Sequence, residues 1–299
     1  MLIEFLKEAW HVVWHTAVET IRILPFLYLT YLLMEFLEHK SGDVTERILR
    51  RSGRVGPLLG GALGVVPQCG FSAAASGLYA GRLITVGTLL AVYLSTSDEM
   101  IPVMINHGVS IGFMLTVLLC KLVIAVVVGF ATDEIYRLLP SGNAIPEPQI
   151  EDLCEREHCK CGDHFAKSAL NHTLKTIAFI FLVSLALNAT VEIVGEDALS
   201  SLVLSKPVLG SILSAIVGLI PNCASSVILT ELYLSGVISF GSVMSGLLVN
   251  AGVGLLVLFR NNRPIRDSVR VLAILFAAAV LGGLLLDLTP LAGWIGTIR

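Results

Sequence analysis

Two short stretches decide the fold: Val66-Pro67-Gln68-Cys69-Gly70-Phe71-Ser72 and Ile220-Pro221-Asn222-Cys223-Ala224-Ser225-Ser226. Each interrupts an apolar run with a proline, which lacks an amide hydrogen and clashes with the preceding turn, so a helix ends or kinks there. An amide side chain, a thiol and hydroxyls follow at once. In hydrocarbon the released backbone groups are tolerable only when buried in protein or lining a wet cavity. Two such breaks at matching places therefore point to one shared site near the middle of a membrane. A pair of kinked packing helices, with Gly60, Gly61, Gly64 and Gly218 as close-contact surfaces, is the other reading.

The surroundings are those of a membrane protein. Of 299 residues 55% are hydrophobic and 14% charged, with a mean hydropathy of +0.82; a soluble domain carries about 25% charge. A net charge of −3 and a pI near 6.2 lack the clustered basic excess of a nucleic-acid binder, so no nucleic-acid partner is expected. Apolar stretches run at 14 to 38, 57 to 80, 83 to 106, 109 to 131, 170 to 191, 208 to 233, 236 to 259 and 269 to 288. At about 20 residues per crossing there is room for roughly six to eight crossings and no large extramembrane domain. Residues Met1 to His15 contain Glu4, Lys7, Glu8 and His11 and do not read as a cleavable signal peptide.

The chain repeats itself. Shifted by 154 residues without a gap, Gly56 falls on Gly210, Gly64 on Gly218, Pro67 on Pro221, Cys69 on Cys223, Ser72 on Ser226 and Leu78-Tyr79 on Leu232-Tyr233. Apolar composition produces chance matches of Leu and Val, but not aligned Pro, Cys, Tyr and Gly. Long internal repeats mark transporter architecture. The expected organisation is a first membrane repeat over 1–131, a cytoplasmic acidic Cys/His linker over 132–168 and a second membrane repeat over 169–299. The fold class is an all-α polytopic membrane protein of two homologous halves, each about three transmembrane helices plus one broken or re-entrant hairpin.

Positive charge orients the halves. Lys40, Arg47, Arg50, Arg51 and Arg54, then Arg82, then Arg260, Arg263, Arg266 and Arg270 should face the cytoplasm. If 57–80 spans the membrane, Arg82 lands opposite the 40–56 loop; if it re-enters, both stay inside and the halves are an inverted repeat. Eight full crossings with parallel repeats also keep the two large basic loops inside, so the preference for inversion hangs on Arg82.

The most unusual polar insertion is Ser95-Thr96-Ser97-Asp98-Glu99. Carboxylates at membrane depth are expensive and normally face a pathway, so Asp98 and Glu99 are the expected proton-coupling residues. The second half aligns Asn250 with Thr96 and Gly252 with Asp98, which leaves the charge one-sided. The candidate substrate site is therefore Pro67, Gln68, Cys69, Ser72, Thr96, Asp98, Glu99, Pro221, Asn222, Cys223, Ser225, Ser226 and Asn250. In the linker, Cys154, His158, Cys159, Cys161 and His164 can supply a tetrahedral set for a transition-metal ion. The C-x4-C-x-C spacing is not that of a structural zinc finger, and a regulatory or metal-capturing loop is expected. No resident cofactor is expected otherwise. Neither a phosphate-binding G-x-x-x-x-G-K-[ST] loop nor an H-E-x-x-H protease motif is present, which argues against ATP-driven pumping and against an enzyme.

On the strength of Pro67-Gln68-Cys69-Gly70-Phe71-Ser72, Ser95-Thr96-Ser97-Asp98-Glu99 and Pro221-Asn222-Cys223-Ala224-Ser225-Ser226, the chain resembles the ten-segment heavy-metal exporter family. That family is also labelled manganese transporter or arsenic efflux protein and is related to the organoarsenical permeases. The resemblance covers nearly the whole chain, and two hairpins plus six crossings would make its ten segments. It implies multi-pass residence in a prokaryotic plasma (inner) membrane and export of a metal or metalloid ion; the expected partners are the lipid bilayer, that ion, protons through Asp98 or Glu99, and a second copy in a homodimer. Cys69 and Cys223 suit thiophilic As(III), whereas Asp98, Gln68, Asn222 and Asn250 offer hard oxygens to Mn²⁺. An organic anion or oxyanion permease, and a membrane metal sensor working through the Cys/His loop, are the alternatives.

Overall fold

The computed structural model describes residues 10, 13–14, 16–18, 20–25, 27–32, 55–66, 69–97, 100–138, 165–194 and 207–289. Among them every regular element is an α-helix. After helical residues within 10–32 come α1 (Val55–Gly64), α2 (Cys69–Ala80), α3 (Val86–Ser95), α4 (Met100–Asn106), α5 (Ile111–Leu138) and α6 (Phe165–Val194). Then follow α7 (Pro207–Gly218), α8 (Cys223–Leu234), α9 (Phe240–Val249), α10 (Gly254–Asn261) and α11 (Ile265–Leu288). Among the described residues four stretches are long and apolar enough to cross a membrane: Ile111–Leu138, Ala169–Ala186, Phe240–Asn261 and Ile265–Leu288. The described residues are all-helical, as a polytopic membrane protein requires.

α5 shows how such a helix sorts its residues. Ile111, Leu115, Leu119, Val123 and Val127, four apart, are exposed, while Val117, Lys121, Ala125, Gly129 and Asp133, also four apart, are buried. A stripe of large apolar side chains is a natural outer face only where the solvent is lipid, because lipid tails give those side chains no reason to turn inward. Small and polar residues then make the helix contacts.

The repeat is written into the helix boundaries. The steps from Cys69 to Cys223, Val86 to Phe240, Met100 to Gly254 and Ile111 to Ile265, each the first residue of a helix, are all 154. Side-chain contacts repeat with the same offset. In the first half the N-cap Thr85 donates to Asp133 Oδ2 at 2.7 Å and the Gly87 N–H donates to Asp133 Oδ1 at 2.8 Å. In the second, Ser239 donates to Asp287 Oδ2 at 2.7 Å and the Gly241 N–H to Asp287 Oδ1 at 2.6 Å. Each carboxylate of a long helix thus satisfies donors at the amino end of α3 or α9, where the helix dipole also favours negative charge. Such closeness requires glycine: a Cβ on Gly87 would lie 2.1 Å from the Gly129 carbonyl oxygen, and one on Gly241 2.2 Å from that of Gly283.

The halves interlock. α10 of the second half packs on α2 of the first, and α4 of the first on α8 of the second. The central apolar cluster draws Leu89, Leu90 and Tyr93 together with Leu248, Val271 and Leu275, so the two repeats share one core. At one end Arg82 forms an ion pair with Asp267 at 3.0 Å and also donates to the Arg263 carbonyl oxygen at 3.0 Å. The turn after α2 therefore sits against the turn before α11. At the other end Phe113, opening α5, stacks on Tyr233 near the end of α8 with centroids 6.0 Å apart.

One feature differs from the sequence expectation. Where a single break per half was expected, at Pro67 and Pro221, there is a second pair: helix stops at Ser95 and resumes at Met100, and stops at Val249 and resumes at Gly254. The stretches 83 to 106 and 236 to 259 are thus interrupted helices. The second interruption, Asn250-Ala251-Gly252-Val253, is apolar enough to pass for continuous helix; Gly252 turns it by adopting a left-handed φ of 53°, which a side chain disfavours.

Candidate functional site

The second-half hairpin tip is ordered by its own side chains. Ile220 and Asn222 form a tight turn through the Asn222 N–H to Ile220 carbonyl bond at 2.7 Å, with Pro221 between them. Proline there cannot continue α7, and Asn222 becomes the N-cap of α8, accepting from the Ala224 N–H at 3.4 Å. Ser225 donates to the Asn222 carbonyl oxygen at 2.7 Å and accepts from Asn250 Nδ2 at 3.3 Å. Asn250 is the C-cap of α9, and its Oδ1 accepts from the Gly252 N–H at 3.0 Å. The tip of one broken element is thereby joined to the break of the next through Ser225 and Asn250, both buried.

The first half reaches the same break from the other direction. A Cβ on Gly254, the first residue of α10, would stand 2.8 Å from Ser72 Cβ, so α2 lies directly against the resumption of the second interrupted helix. One turn along, Ser76 Oγ is 2.7 Å from the Gly254 carbonyl oxygen and 2.6 Å from the Tyr93 hydroxyl, which itself donates to that carbonyl at 3.2 Å. Hydroxyls from α2 and α3 therefore hold the first turn of α10 in place.

The residue that ties the breaks together was not among the sequence candidates. Lys121, only 1% exposed, lies within the apolar α5 and donates to two backbone carbonyls, that of Thr96 at the end of α3 and that of Leu247 at 2.9 Å in the last turn of α9. The last carbonyls of a helix lack intrahelical partners and carry the negative end of the dipole, which is where a buried ammonium is best accommodated. Its signal in the sequence was a solitary lysine inside the Ile111–Leu138 span, whose hydropathy is 2.7. Intramembrane charge of that kind is a pathway marker by default.

Of the sequence candidates, Ser72, Thr96, Asn222, Ser225 and Asn250 come together in this crossing of breaks. Pro221 shapes the tip. Cys223 is buried at the amino end of α8, and Ser226 is turned back on its own helix, donating to the Cys223 carbonyl oxygen at 2.8 Å. The backbone of Cys69 opens α2. Pro67, Gln68, Asp98 and Glu99 lie outside the described residues, as do Cys154, His158, Cys159, Cys161 and His164 of the linker. Among the described residues no three His, Cys, Asp or Glu side chains converge as a metal site.

A cavity of 560 Å³ lies between α1, α2 and α3, walled by apolar side chains such as Leu59, Leu63, Phe71 and Val92, with Thr88 adding a hydroxyl. In the second half the positions of Ala74 and Ala75 carry Ile228 and Leu229, and Leu229 is wholly buried against Gly246. The cavity is greasy rather than polar, so a hydrated ion gains nothing from entering it.

Comparison with known proteins adds one match. The family model described as "Putative, 10TM heavy-metal exporter" matches residues 183–295, in agreement with the resemblance drawn from the motifs. That segment holds the second hairpin, Asn250 and the whole of α11, while the first repeat and the Cys/His loop fall outside it. No curated protein and no solved structure matches the chain. The matched family is one of membrane transporters, not a class of enzymes, and its description points to a heavy-metal exporter.

Proposed function

We propose that the chain is a secondary transporter that exports a heavy-metal or metalloid species through a polar crossing contributed by both halves. One observation carries the reading. The ends of two interrupted helices and the second hairpin tip meet around Lys121, Ser225 and Asn250, with α2 of the first half against them through Ser72. Broken helices meeting inside a bundle are how transporters expose backbone to a solute.

The same contacts favour an inverted repeat. At 1.5 Å per residue α1 and α2 are about 15 and 18 Å long, short of a hydrocarbon core of about 30 Å, so they read as a re-entrant hairpin. The Arg82 to Asp267 ion pair supports this, since eight full crossings would put those residues on opposite faces. With re-entrant hairpins, three crossings (the α3 and α4 pair, α5 and α6) separate the two repeats, and an odd number inverts the second. The arginine-rich turns then lie in the cytoplasm of a prokaryotic inner membrane. Proton coupling is assigned to Asp98 or Glu99, and the Cys/His loop captures a transition-metal ion on the cytoplasmic side.

Proteoliposome flux across Mn²⁺, Zn²⁺, arsenite and methylarsenite tests the proposal. Wild type should move at least one of them, Asp98→Asn should uncouple flux from the proton gradient, and the Cys69→Ser/Cys223→Ser pair should lower it selectively for thiophilic cargo. No flux for any of the four overturns the reading. Removing 154–164 should leave flux in place with altered regulation; its complete loss favours a sensor that works through the loop.

A further inference from the structure

Lys121 is placed where a transporter of broken helices would be expected to hold a coupling cation. Carbonyls at the carboxyl ends of interrupted helices are the groups that coordinate such ions. Here the Thr96 and Leu247 carbonyls, one from each repeat, both receive a hydrogen bond from the same ammonium. The second repeat offers no equivalent: the position 154 residues after Lys121 is Leu275, wholly buried in the shared core. A buried ammonium is costly unless charge and hydrogen bonds compensate it, and two carbonyls at the carboxyl ends of interrupted helices contribute to that compensation.

We propose that the Lys121 ammonium is a built-in monovalent cation that occupies, between the Thr96 and Leu247 carbonyls, the position of a coupling alkali ion. Transport then runs without Na⁺ or K⁺, and truncating the side chain opens a site for a small primary ammonium. The inference rests on reading this crossing as the transport site, but its site chemistry can be measured without flux. Lys121 acts here as a positioning residue: it holds α3 and α9 at a common depth while cargo passes beside them. A free alkali ion would instead have to enter and leave with each cycle.

The test uses the full chain, purified and reconstituted, as wild type, Lys121→Ala and Lys121→Arg. Wild-type flux should be the same in Na⁺, K⁺ or choline media. Lys121→Ala should lower the thermal midpoint and cut flux about tenfold, equivalent to 1.4 kcal/mol. Propylammonium should restore both in that variant, whereas tetramethylammonium, which has the charge but no N–H to donate, should restore neither. Lys121→Arg, keeping charge and donors, should retain more flux than Lys121→Ala. A wild type that needs Na⁺ or K⁺ overturns the proposal, as does a propylammonium shift equal in wild type and Lys121→Ala, or tetramethylammonium matching propylammonium. Absence of flux in wild type would count against the transporter reading alone, with the amine-specific thermal shift still deciding the cation site.

Discussion

Asn250 does two tasks with one amide group. Its Oδ1 fixes the Gly252 turn and its Nδ2 reaches Ser225 on the neighbouring hairpin, all at 3% exposure. Asn250→Ala leaves a buried N–H without its acceptor, at a cost of about 1–3 kcal/mol. Its thermal midpoint and flux should both fall. Ser225→Ala removes the partner on the hairpin but spares the turn, and should lower flux with a smaller loss of stability; equal thermal losses in the two variants would contradict this division of roles. Ser225 and Asn250 were legible in the sequence because each aligns with or neighbours a polar break residue. Lys121 was not, because one lysine in a long apolar helix stands beside no proline, carboxylate or motif.

The carboxylate clamps of α3 and α9 are structural, and the duplication makes them a built-in control. Asp133→Asn and Asp287→Asn each weaken a charge-assisted pair of hydrogen bonds, worth about 1.5–3 kcal/mol per bond to a charged group. Both should lower the unfolding temperature in detergent, Asp133→Asn more, since Asp133 is 4% exposed whereas Asp287 is only part-buried. Close glycine contacts set the distance between these helices. Gly241→Ala drives a Cβ to 2.2 Å from a backbone oxygen that cannot move away, so little folded protein should be recovered by size-exclusion chromatography. Gly112→Ala, with nothing within 4 Å of the added carbon, should express normally. The equivalence of the two sets of helices was readable from the 154-residue offset, though not where each begins. The interruption at 250–253 was hidden because Ala251 and Val253 preserve the apolar run across it.

The disposition of the two repeats is testable through the ion pair that joins their turns. In a cysteine-free background, Arg82→Cys and Arg263→Cys should react with a membrane-impermeant thiol reagent from the same side of the bilayer. His107→Cys and Gly236→Cys, at the Phe113–Tyr233 end, should react from the opposite side. Labelling of Arg82→Cys and Arg263→Cys from different sides would refute the re-entrant hairpin. The packing of α10 on α2 and α4 on α8 also means that neither repeat completes its own core. Separately expressed halves should accordingly fold only when produced together, as read by co-purification.

Membrane residence, the duplication and the proline-marked tips are consequences of composition and of local backbone chemistry, which act over a few residues and so are written in linear order. Proline breaks a helix wherever it stands, and an apolar run seeks lipid whatever its neighbours. The interlocking of the halves and the lysine that spans the ends of two interrupted helices depend on contacts between positions as far apart as Ser76 and Gly254. No local rule selects those pairs. They are chosen by the requirement that every backbone group left over at a break find a partner inside the bundle, because the surrounding lipid supplies none.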